Sequence, residues 1–140
     1  MNLLVVDASV FGPYLLKDEW NERAARLLAE MGEHEILVPS HWRLEVANLL
    51  ISAMRKGRIT MDERSLALAG VGQFAITIDD LTSINAWGDT LDLADRYKLT
   101  PYDAAYLELP LRHQTALATN DRALLIAAEK EGVDTRTSLS

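Results

Sequence analysis

The sequence predicts an α/β fold in which helices cover both faces of a central, mainly parallel, twisted sheet. Short apolar runs rich in β-branched residues are typical of strands that are buried on both faces. These runs alternate along the chain with longer amphipathic segments of helical spacing. No linker rich in Pro, Gly or Ser interrupts the 140 residues, so we expect a single domain over 1–140.

Four runs are predicted to form strands. They are LLVVD at 3–7, EILVP at 35–39, FAITI at 74–78 and TALATND at 115–121. In a parallel sheet the carboxyl ends of the strands share one edge, and ligands bind in the crevice beyond that edge. A functional site is therefore expected where these runs end.

Six segments between and after these runs have helical spacing. They cover 18–34, 41–56, 61–71, 84–98, a stretch from 101 onward, and 122–132. Gly88 weakens the fourth segment, because glycine is a poor helix former. Glycine commonly follows the last turn of a helix. The first, second and last of these helices are therefore expected to end at Gly32, Gly57 and Gly132.

Residues suited to helix starts support these assignments. Ser40 can cap the helix at 41–56, and Thr60 with Glu63 forms a capping-box pair. Thr100 followed by Pro101 is a typical helix start. Pro110 is expected to end or kink that helix, because proline lacks an N–H and clashes with the preceding turn.

Composition limits the functional classes. The chain carries 14 basic and 21 acidic residues, a formal net charge of −7, and such a surface repels nucleic acid unless basic patches or cations offset it. The absence of cysteine excludes disulfides, thiolate metal sites and cysteine nucleophiles, and it fits a reducing cytosol. The apolar start MNLLVVDASVF lacks a basic leader, and no run reaches the roughly 18 apolar residues of a membrane span. We therefore expect a cytoplasmic protein without a membrane partner.

Three aspartates occur at the ends of predicted elements. Asp7 and Asp121 end strands and so fall at the crevice edge of the sheet. Acids at strand-to-helix turns also commonly cap the following helix. Asp103 lies in the first turn of its helix, where the helix dipole alone favours an anion. Taken singly, each residue has a structural explanation as well as a functional one.

Glu45 is the single carboxylate on a nearly apolar helix. At about 100° per residue it forms one narrow polar stripe with three other residues, His41, Asn48 and Ser52. The stripe is either the solvent face of the helix or the side that points a lone acid into a polar crevice. The pattern favours neither.

Taken together, four carboxylates indicate a site with oxygen ligands: Asp7, Glu45, Asp103 and Asp121. None of the three histidines is near another at ligand spacing, and there is no cysteine. An all-oxygen cluster suits Mg²⁺ or Mn²⁺ rather than zinc. Mg²⁺ held by carboxylates most often serves phosphate chemistry.

Four motifs in order then resemble a known family. VVDASV, EVANLL, TPYDAAYLELP and LATNDRAL closely resemble PIN-domain ribonucleases, particularly the VapC-like toxins of type II toxin–antitoxin pairs. The first motif alone is weak, whereas the last two are more specific. The resemblance implies a PIN-like three-layer α/β/α sandwich.

The resemblance also implies roles for individual residues. The four acids match the family's positions around one or two divalent cations, where water is activated to attack an RNA phosphodiester and leave a 3′-hydroxyl and a 5′-phosphate. Ser9 and Thr119 match small hydroxyl positions near the acids, and we expect them to support those acids. Both are equally explained as turn hydroxyls.

The resemblance further implies an RNA substrate, a cognate antitoxin and a homodimer. RNA would contact local basic residues such as Arg55, Lys56, Arg58 and Arg122, which are otherwise ordinary surface charges. The apolar helices at 22–31 and 43–54 are candidates for the dimer or antitoxin surface, although core packing explains most of their apolar residues.

Two other functions compete with a metal-dependent endoribonuclease. One is a PIN-like binding or scaffold module in RNA processing. The four acids count against it, because a site without catalysis has no need of four like charges held together without metal. The other is an unrelated acidic α/β enzyme such as an aspartyl-phosphate hydrolase, but Ala8 and Ser9 follow Asp7 where a second acid is required. A gene for a small DNA-binding protein immediately upstream would favour the toxin.

Overall fold

The computed structural model describes residues 2–140, and its centre is a five-stranded parallel sheet. The strands are β1 (Leu3–Val6), β2 (Glu35–Val38), β3 (Ile76–Ile78), β4 (Ala116–Ala118) and β5 (Thr135–Arg136). Their order is β3-β2-β1-β4-β5, and all neighbouring pairs are parallel. Leu4, Val5 and Val6 of the central strand are fully buried, as the continuous apolar run predicts.

Eight α-helices flank this sheet within the described residues. They are α1 (Ala8–Leu15), α2 (Glu22–Met31), α3 (Trp42–Arg55), α4 (Met61–Val71), α5 (Thr82–Asn85), α6 (Asp89–Tyr97), α7 (Pro101–His113) and α8 (Arg122–Lys130). Helix α1 contacts α2, α3 and α4, whereas α7 contacts α6, α8 and the central strands. The predicted α/β/α sandwich with a parallel sheet is confirmed.

Several predicted helix ends are confirmed in detail. The Thr60 side chain accepts from the Glu63 N–H, and Glu63 accepts from the Thr60 N–H, which completes the capping box of α4. Thr100 Oγ1 accepts from the Asp103 N–H at 3.1 Å at the start of α7. Gly57 has φ +70°, a left-handed conformation that glycine adopts without the steric penalty of a side chain.

Other predicted boundaries are wrong. The segment predicted as one helix over 84–98 is two helices, α5 and α6, because Gly88 interrupts it. Ser40 does not cap α3; His41 occupies the N-cap position, and the Ser40 N–H donates to Thr82 Oγ1 at 3.1 Å. The helix predicted from residue 18 begins at Glu22, with Asn21 as its cap.

Two prolines lie inside helices. Helix α1 was not predicted; it contains Gly12 and Pro13, which are typical of a turn. Pro110 does not end α7, which continues to His113. In both helices the surrounding residues are buried, and packing in the hydrophobic core compensates for the hydrogen bond that proline removes.

A buried ionic cluster joins α7 to the end of β3. Arg112 donates to both carboxylate oxygens of Asp79, at 2.9 and 2.8 Å, and to both of Glu108, at 3.0 and 2.7 Å. Thr82 Oγ1 donates to Asp79 at 2.7 Å and accepts from the Ser40 N–H. This cluster therefore anchors the loop from which α3 starts.

Across residues 2–140, no helix has both the length and the apolar character required to cross a membrane.

Candidate active site

A pocket of about 540 Å³ lies at the carboxyl ends of β1 and β4, where the strand order of the sheet changes direction. From β1 the chain moves to β2 and β3 on one side, and β4 and β5 lie on the other. In open α/β sheets, ligands bind at such a switch point, beyond the carboxyl ends of the strands. All four predicted acids line this pocket: Asp7, Glu45, Asp103 and Asp121.

Asp7 lies at the centre of the site and is held by two hydroxyl groups. It follows β1, its side chain is not used as a helix cap, and the residue is only 5% exposed. Ser9 Oγ and Thr119 Oγ1 each donate to Asp7 Oδ2 at 2.7 Å. Neither hydroxyl bonds Oδ1, so that oxygen is available to another partner. The predicted proximity of Ser9 and Thr119 to an acid is therefore present in the structure.

The same two hydroxyls also accept hydrogen bonds from the backbone after β4. The Asn120 N–H donates to Ser9 Oγ at 2.9 Å, and the Asp121 N–H donates to Thr119 Oγ1 at 3.0 Å. Each hydroxyl thus has a backbone donor on one side and the Asp7 carboxylate on the other. This arrangement orients their protons towards Asp7 and joins the ends of β1 and β4.

Asp103 and Asp121 each combine a position at a helix start with a position in the pocket. Asp121 Oδ1 accepts from the Leu124 N–H at 3.0 Å and caps α8. Asp103 lies in the first turn of α7, where the helix dipole favours its charge. Both residues also line the pocket. A capping role and a position in the site are therefore compatible.

The polar stripe of α3 faces the crevice along most of its length. His41, Glu45 and Asn48 line the pocket, whereas Ser52 is not among its lining residues. Leu44, which is 75% exposed, also lines this pocket, so the pocket side of α3 is not wholly polar. The interpretation of the stripe as a plain solvent face is wrong for its first two turns.

Two residues of the site were not predicted. The hydroxyl of Tyr106, which is fully buried, donates to Glu45 Oε1 at 2.5 Å. His41 Nε2 lies 3.4 Å from the same oxygen and 3.1 Å from the Tyr102 carbonyl oxygen. Tyr106 falls three residues after Asp103, on the same face of α7, and this spacing is the signal that could have identified it.

The carboxylates are electrostatically coupled. Burial raises the pKa of Glu45 to about 7. The charges of Asp7 and Asp103 also act to raise this pKa, whereas the hydrogen bond from Tyr106 acts to lower it. Burial also raises the pKa of Asp7 and of Asp103, with Asp121 contributing to both shifts. Such like-charged groups in one pocket favour a bound cation or proton.

The donor chemistry of the pocket suits a hard divalent cation, but the side chains do not form a preformed cage. Within residues 2–140, no three His, Asp or Glu side chains are grouped as ligands of one metal ion. Mg²⁺ usually keeps several waters and binds through only one or two carboxylates, so it does not require such a cage. The residues present therefore fit Mg²⁺ or Mn²⁺ in donor type.

Sequence comparison identifies the family. The model of the PIN domain family matches residues 4–130. The chain belongs to the PIN domain family. It is also 32% identical over 121 residues to Ribonuclease VapC3 of Pyrobaculum aerophilum, covering 86% of this chain and 91% of that protein. The resemblance to VapC-like PIN proteins is thereby confirmed.

Solved structures of similar fold support the same architecture. PAE2754 from Pyrobaculum aerophilum has a TM-score of 0.69 and 21% identity, with 96% of this chain and 89% of that chain covered. FitAcB from Neisseria gonorrhoeae has a TM-score of 0.64 and 16% identity, with 96% and 97% covered. FitAB bound to a DNA fragment has a TM-score of 0.61 and 16% identity, with 96% and 94% covered. At these identities the likeness concerns the PIN fold.

We expect Tyr106→Phe to reduce the activity of this PIN domain by about 10- to 100-fold, the usual effect of removing a group that orients a ligand. The change removes only the hydroxyl that holds Glu45, and the ring still packs in the core. Tyr97→Phe is a matched control, because Tyr97 also donates to a glutamate, Glu131, outside the pocket. Equal activity of Tyr106→Phe and Tyr97→Phe in an RNA cleavage assay would show that Tyr106 does not position Glu45 for function.

Proposed function

We propose that this chain is a divalent-metal-dependent endoribonuclease and the toxin of a type II toxin–antitoxin pair. The observation that carries the proposal is the placement of four carboxylates, from four separate elements, in one pocket at the switch point of the sheet. The likeness to a protein named Ribonuclease VapC3 over 91% of its length supports RNA as the substrate. The proposal treats 1–140 as one domain acting in the cytoplasm.

The proposed reaction is hydrolysis of an RNA phosphodiester bond. Asp7, Glu45, Asp103 and Asp121 would hold a divalent cation, Mg²⁺ or Mn²⁺, which would supply a polarised water and a counter-charge for the phosphate. Ser9 and Thr119 hold the Asp7 carboxylate in one orientation, and Tyr106 does the same for Glu45.

The surface charges around the site limit how RNA is held. Arg58, one of the predicted RNA contacts, is already engaged by Asp18 and Glu19 at 2.7 Å each. Arg55, Lys56 and Arg122 are exposed and remain candidates for phosphate contacts. Cations bound at the four carboxylates would offset part of the net charge of −7 that otherwise repels RNA.

A groove between α3 and α4 is the proposed surface for the antitoxin. It has a volume of about 670 Å³, and its lining includes Ile51 and Leu68, which are exposed, together with Arg43 and Arg64. An amphipathic segment would cover the apolar side chains and place acidic residues beside the two arginines. The proposal thus keeps the helix at 43–54 as a candidate surface for the antitoxin.

A homodimer is also part of the proposal, but not through α2. The apolar residues Ala24, Leu27 and Met31 of that helix are buried in the core. Segment 81–91 instead exposes large apolar side chains, and Trp87 is 92% exposed. A second copy covering this segment would remove that apolar surface from water.

The experiment that tests the activity is metal removal and replacement. Protein treated with EDTA should leave a single-stranded RNA intact, and added Mg²⁺ or Mn²⁺ should restore cleavage to products with a 5′-phosphate and a 3′-hydroxyl. Cleavage that continues in EDTA would contradict metal dependence. RNA binding without cleavage, at any concentration of either cation, would favour the binding or scaffold module.

A further inference from the structure

Tyr102 presents an exposed aromatic ring at the edge of the acidic pocket. It is the second residue of α7, immediately before Asp103, and it is 65% exposed while lining the same pocket as the four carboxylates. Its apolar ring and polar hydroxyl are therefore both available to a ligand beside the proposed phosphate site.

The ring of Tyr102 belongs to a chain of three rings that runs from the core to the surface. The His41 ring lies 5.4 Å from the Tyr106 ring at 73°, and 5.7 Å from the Tyr102 ring at 69°, both edge-to-face contacts. Tyr106 is fully buried and anchors this series, which we name the aromatic shelf: Tyr106, His41 and Tyr102. His41 Nε2 also bonds the Tyr102 carbonyl oxygen at 3.1 Å.

The shelf supports Tyr102 from one side and leaves its ring open to the pocket and to solvent. The ring is therefore held in position before any ligand arrives, which reduces the entropy lost on binding. A rigid, half-supported aromatic face is the kind of surface on which nucleobases stack in proteins that bind single-stranded nucleic acid.

The composition of the pocket favours contacts to the bases of an RNA strand. The residues that line it include four acids and neither Arg nor Lys. Basic side chains usually supply most of the affinity for a nucleic acid backbone. Because they are absent from this lining, an RNA strand there would need contacts to its bases in addition to a cation at its phosphate.

We propose that Tyr102 stacks on one unpaired nucleobase of the RNA, next to the phosphate that is cleaved. This inference rests on the proposed ribonuclease function and adds to it a contact between Tyr102 and the base beside that phosphate. A base inside a duplex is already stacked on both faces and offers no free face to Tyr102. Stacking is tolerant of base identity, so Tyr102 selects for an unpaired base rather than for one sequence.

The test measures the binding of a fluorescein-labelled single-stranded RNA oligonucleotide by anisotropy in Mg²⁺. The protein keeps all four acids, the RNA carries phosphorothioate linkages that resist hydrolysis, and Tyr102→Leu and Tyr102→Phe are compared with the wild type. We expect Tyr102→Leu to weaken binding by about 5- to 100-fold, the range for losing one stacked base, and Tyr102→Phe to bind within about twofold. Trp20→Leu is the matched control, since Trp20 is 50% exposed and is not a lining residue.

A second measurement assigns the loss to stacking. RNAs with one abasic position each are compared on two proteins, one that retains Tyr102 and one that carries Tyr102→Leu. At the position whose base stacks on Tyr102, removal of the base should weaken binding to the protein that retains Tyr102. The same removal should have no further effect on binding to Tyr102→Leu. Additive losses at every position, or no loss from Tyr102→Leu, would overturn the inference.

The inference and the proposed function fail in different ways. If the wild type cleaves RNA with Mg²⁺ while Tyr102→Leu binds and cleaves like the wild type, only the stacking role is refuted. If the wild type neither binds nor cleaves RNA with either cation, both are refuted. Because Tyr102 is exposed, an unchanged melting temperature for Tyr102→Leu is expected and would exclude unfolding as the cause of a loss.

Discussion

Replacing Asp7 by asparagine is expected to lower RNA cleavage by at least about 100-fold, more than the loss of a group that only orients a ligand. The substitution is close to isosteric, and the amide oxygen can still accept from Ser9 and Thr119. What disappears is the charge at the centre of the pocket, where the end of β1 meets the end of β4. That charge is the basis of cation binding in the proposed mechanism.

The same variant should be at least as stable as the wild type when metal is absent. Burial raises the pKa of Asp7, and the nearby charges of Asp103 and Asp121 add to this effect. A raised pKa means that the ionised form is disfavoured in the folded protein, so this carboxylate costs stability above its usual pKa. Neutralising it removes that cost, and a thermal melt in EDTA measures the difference.

The measurement in cells is induced expression in a bacterial host with RNA 5′-ends mapped across the transcriptome. New 5′-phosphate ends are expected with the wild type and not with Asp7→Asn. Asp95→Asn is the matched control, because Asp95 is an exposed acid on α6 that does not line the pocket. Identical new ends from wild type and Asp7→Asn would refute the proposed role of Asp7.

Replacing Arg112 by leucine is expected to destabilise the fold by about 3–5 kcal/mol, the usual cost of breaking a buried ion pair from one side. Arg112 bonds two carboxylates, and Asp79 and Glu108 are only 5% and 4% exposed in their side chains. Without the guanidinium, two buried negative charges lose their partner. The melting temperature should fall by on the order of 10–20 °C.

Controls can separate this buried cluster from ordinary surface pairs. Arg96→Leu removes an arginine whose side chain is 55% exposed and which pairs with Glu131. That change should cost far less stability than Arg112→Leu, because exposed ion pairs contribute little. Adding Asp79→Asn and Glu108→Gln to Arg112→Leu should recover part of the loss, because no uncompensated charge then remains. Equal effects of Arg112→Leu and Arg96→Leu would contradict the prediction.

The effect of Arg112→Leu should shrink in acid. Burial acts to raise the pKa of Asp79, but hydrogen bonds from Arg112 and Thr82 and the charge of Arg112 outweigh it and lower that pKa. The stabilisation is therefore complete above the ordinary pKa of 3.8 and is lost as the pH falls through the lower folded value. Urea denaturation at neutral pH and below pH 4 measures this difference.

The elements that the sequence predicted well are those whose signals are local. Continuous apolar runs correctly predicted β1 to β4, and the capping residues Thr60 and Thr100 correctly predicted two helix starts. Strand β5 was missed, because two residues carry no periodic pattern. Helix α1 was also missed, since its Gly12 and Pro13 are local turn signals that burial of the helix overrides.

The predicted site shows the same division. Asp7 and Asp121 were placed at the crevice because each follows an apolar run, and the structure places both there. The direction of the α3 stripe was undecided, since a polar face towards solvent and one towards a crevice have the same sequence pattern. Packing of α3 decided it, because the buried side chains of Trp42, Val46 and Leu50 fix which side of the helix lines the pocket.

The sequence by itself determined the fold class and the four acids that mark the pocket, because burial and capping leave patterns within a few neighbouring residues. The family was indicated by the resemblance of four short motifs. Only the tertiary structure showed that Tyr106 holds Glu45, that Ser9 and Thr119 hold Asp7, and that Arg112 joins two buried acids. These contacts connect residues far apart in the chain, such as Thr119 and Asp7, and a hydrogen bond between distant residues forms no periodic pattern. Their partners become neighbours only when the parallel sheet brings the carboxyl ends of β1 and β4 together.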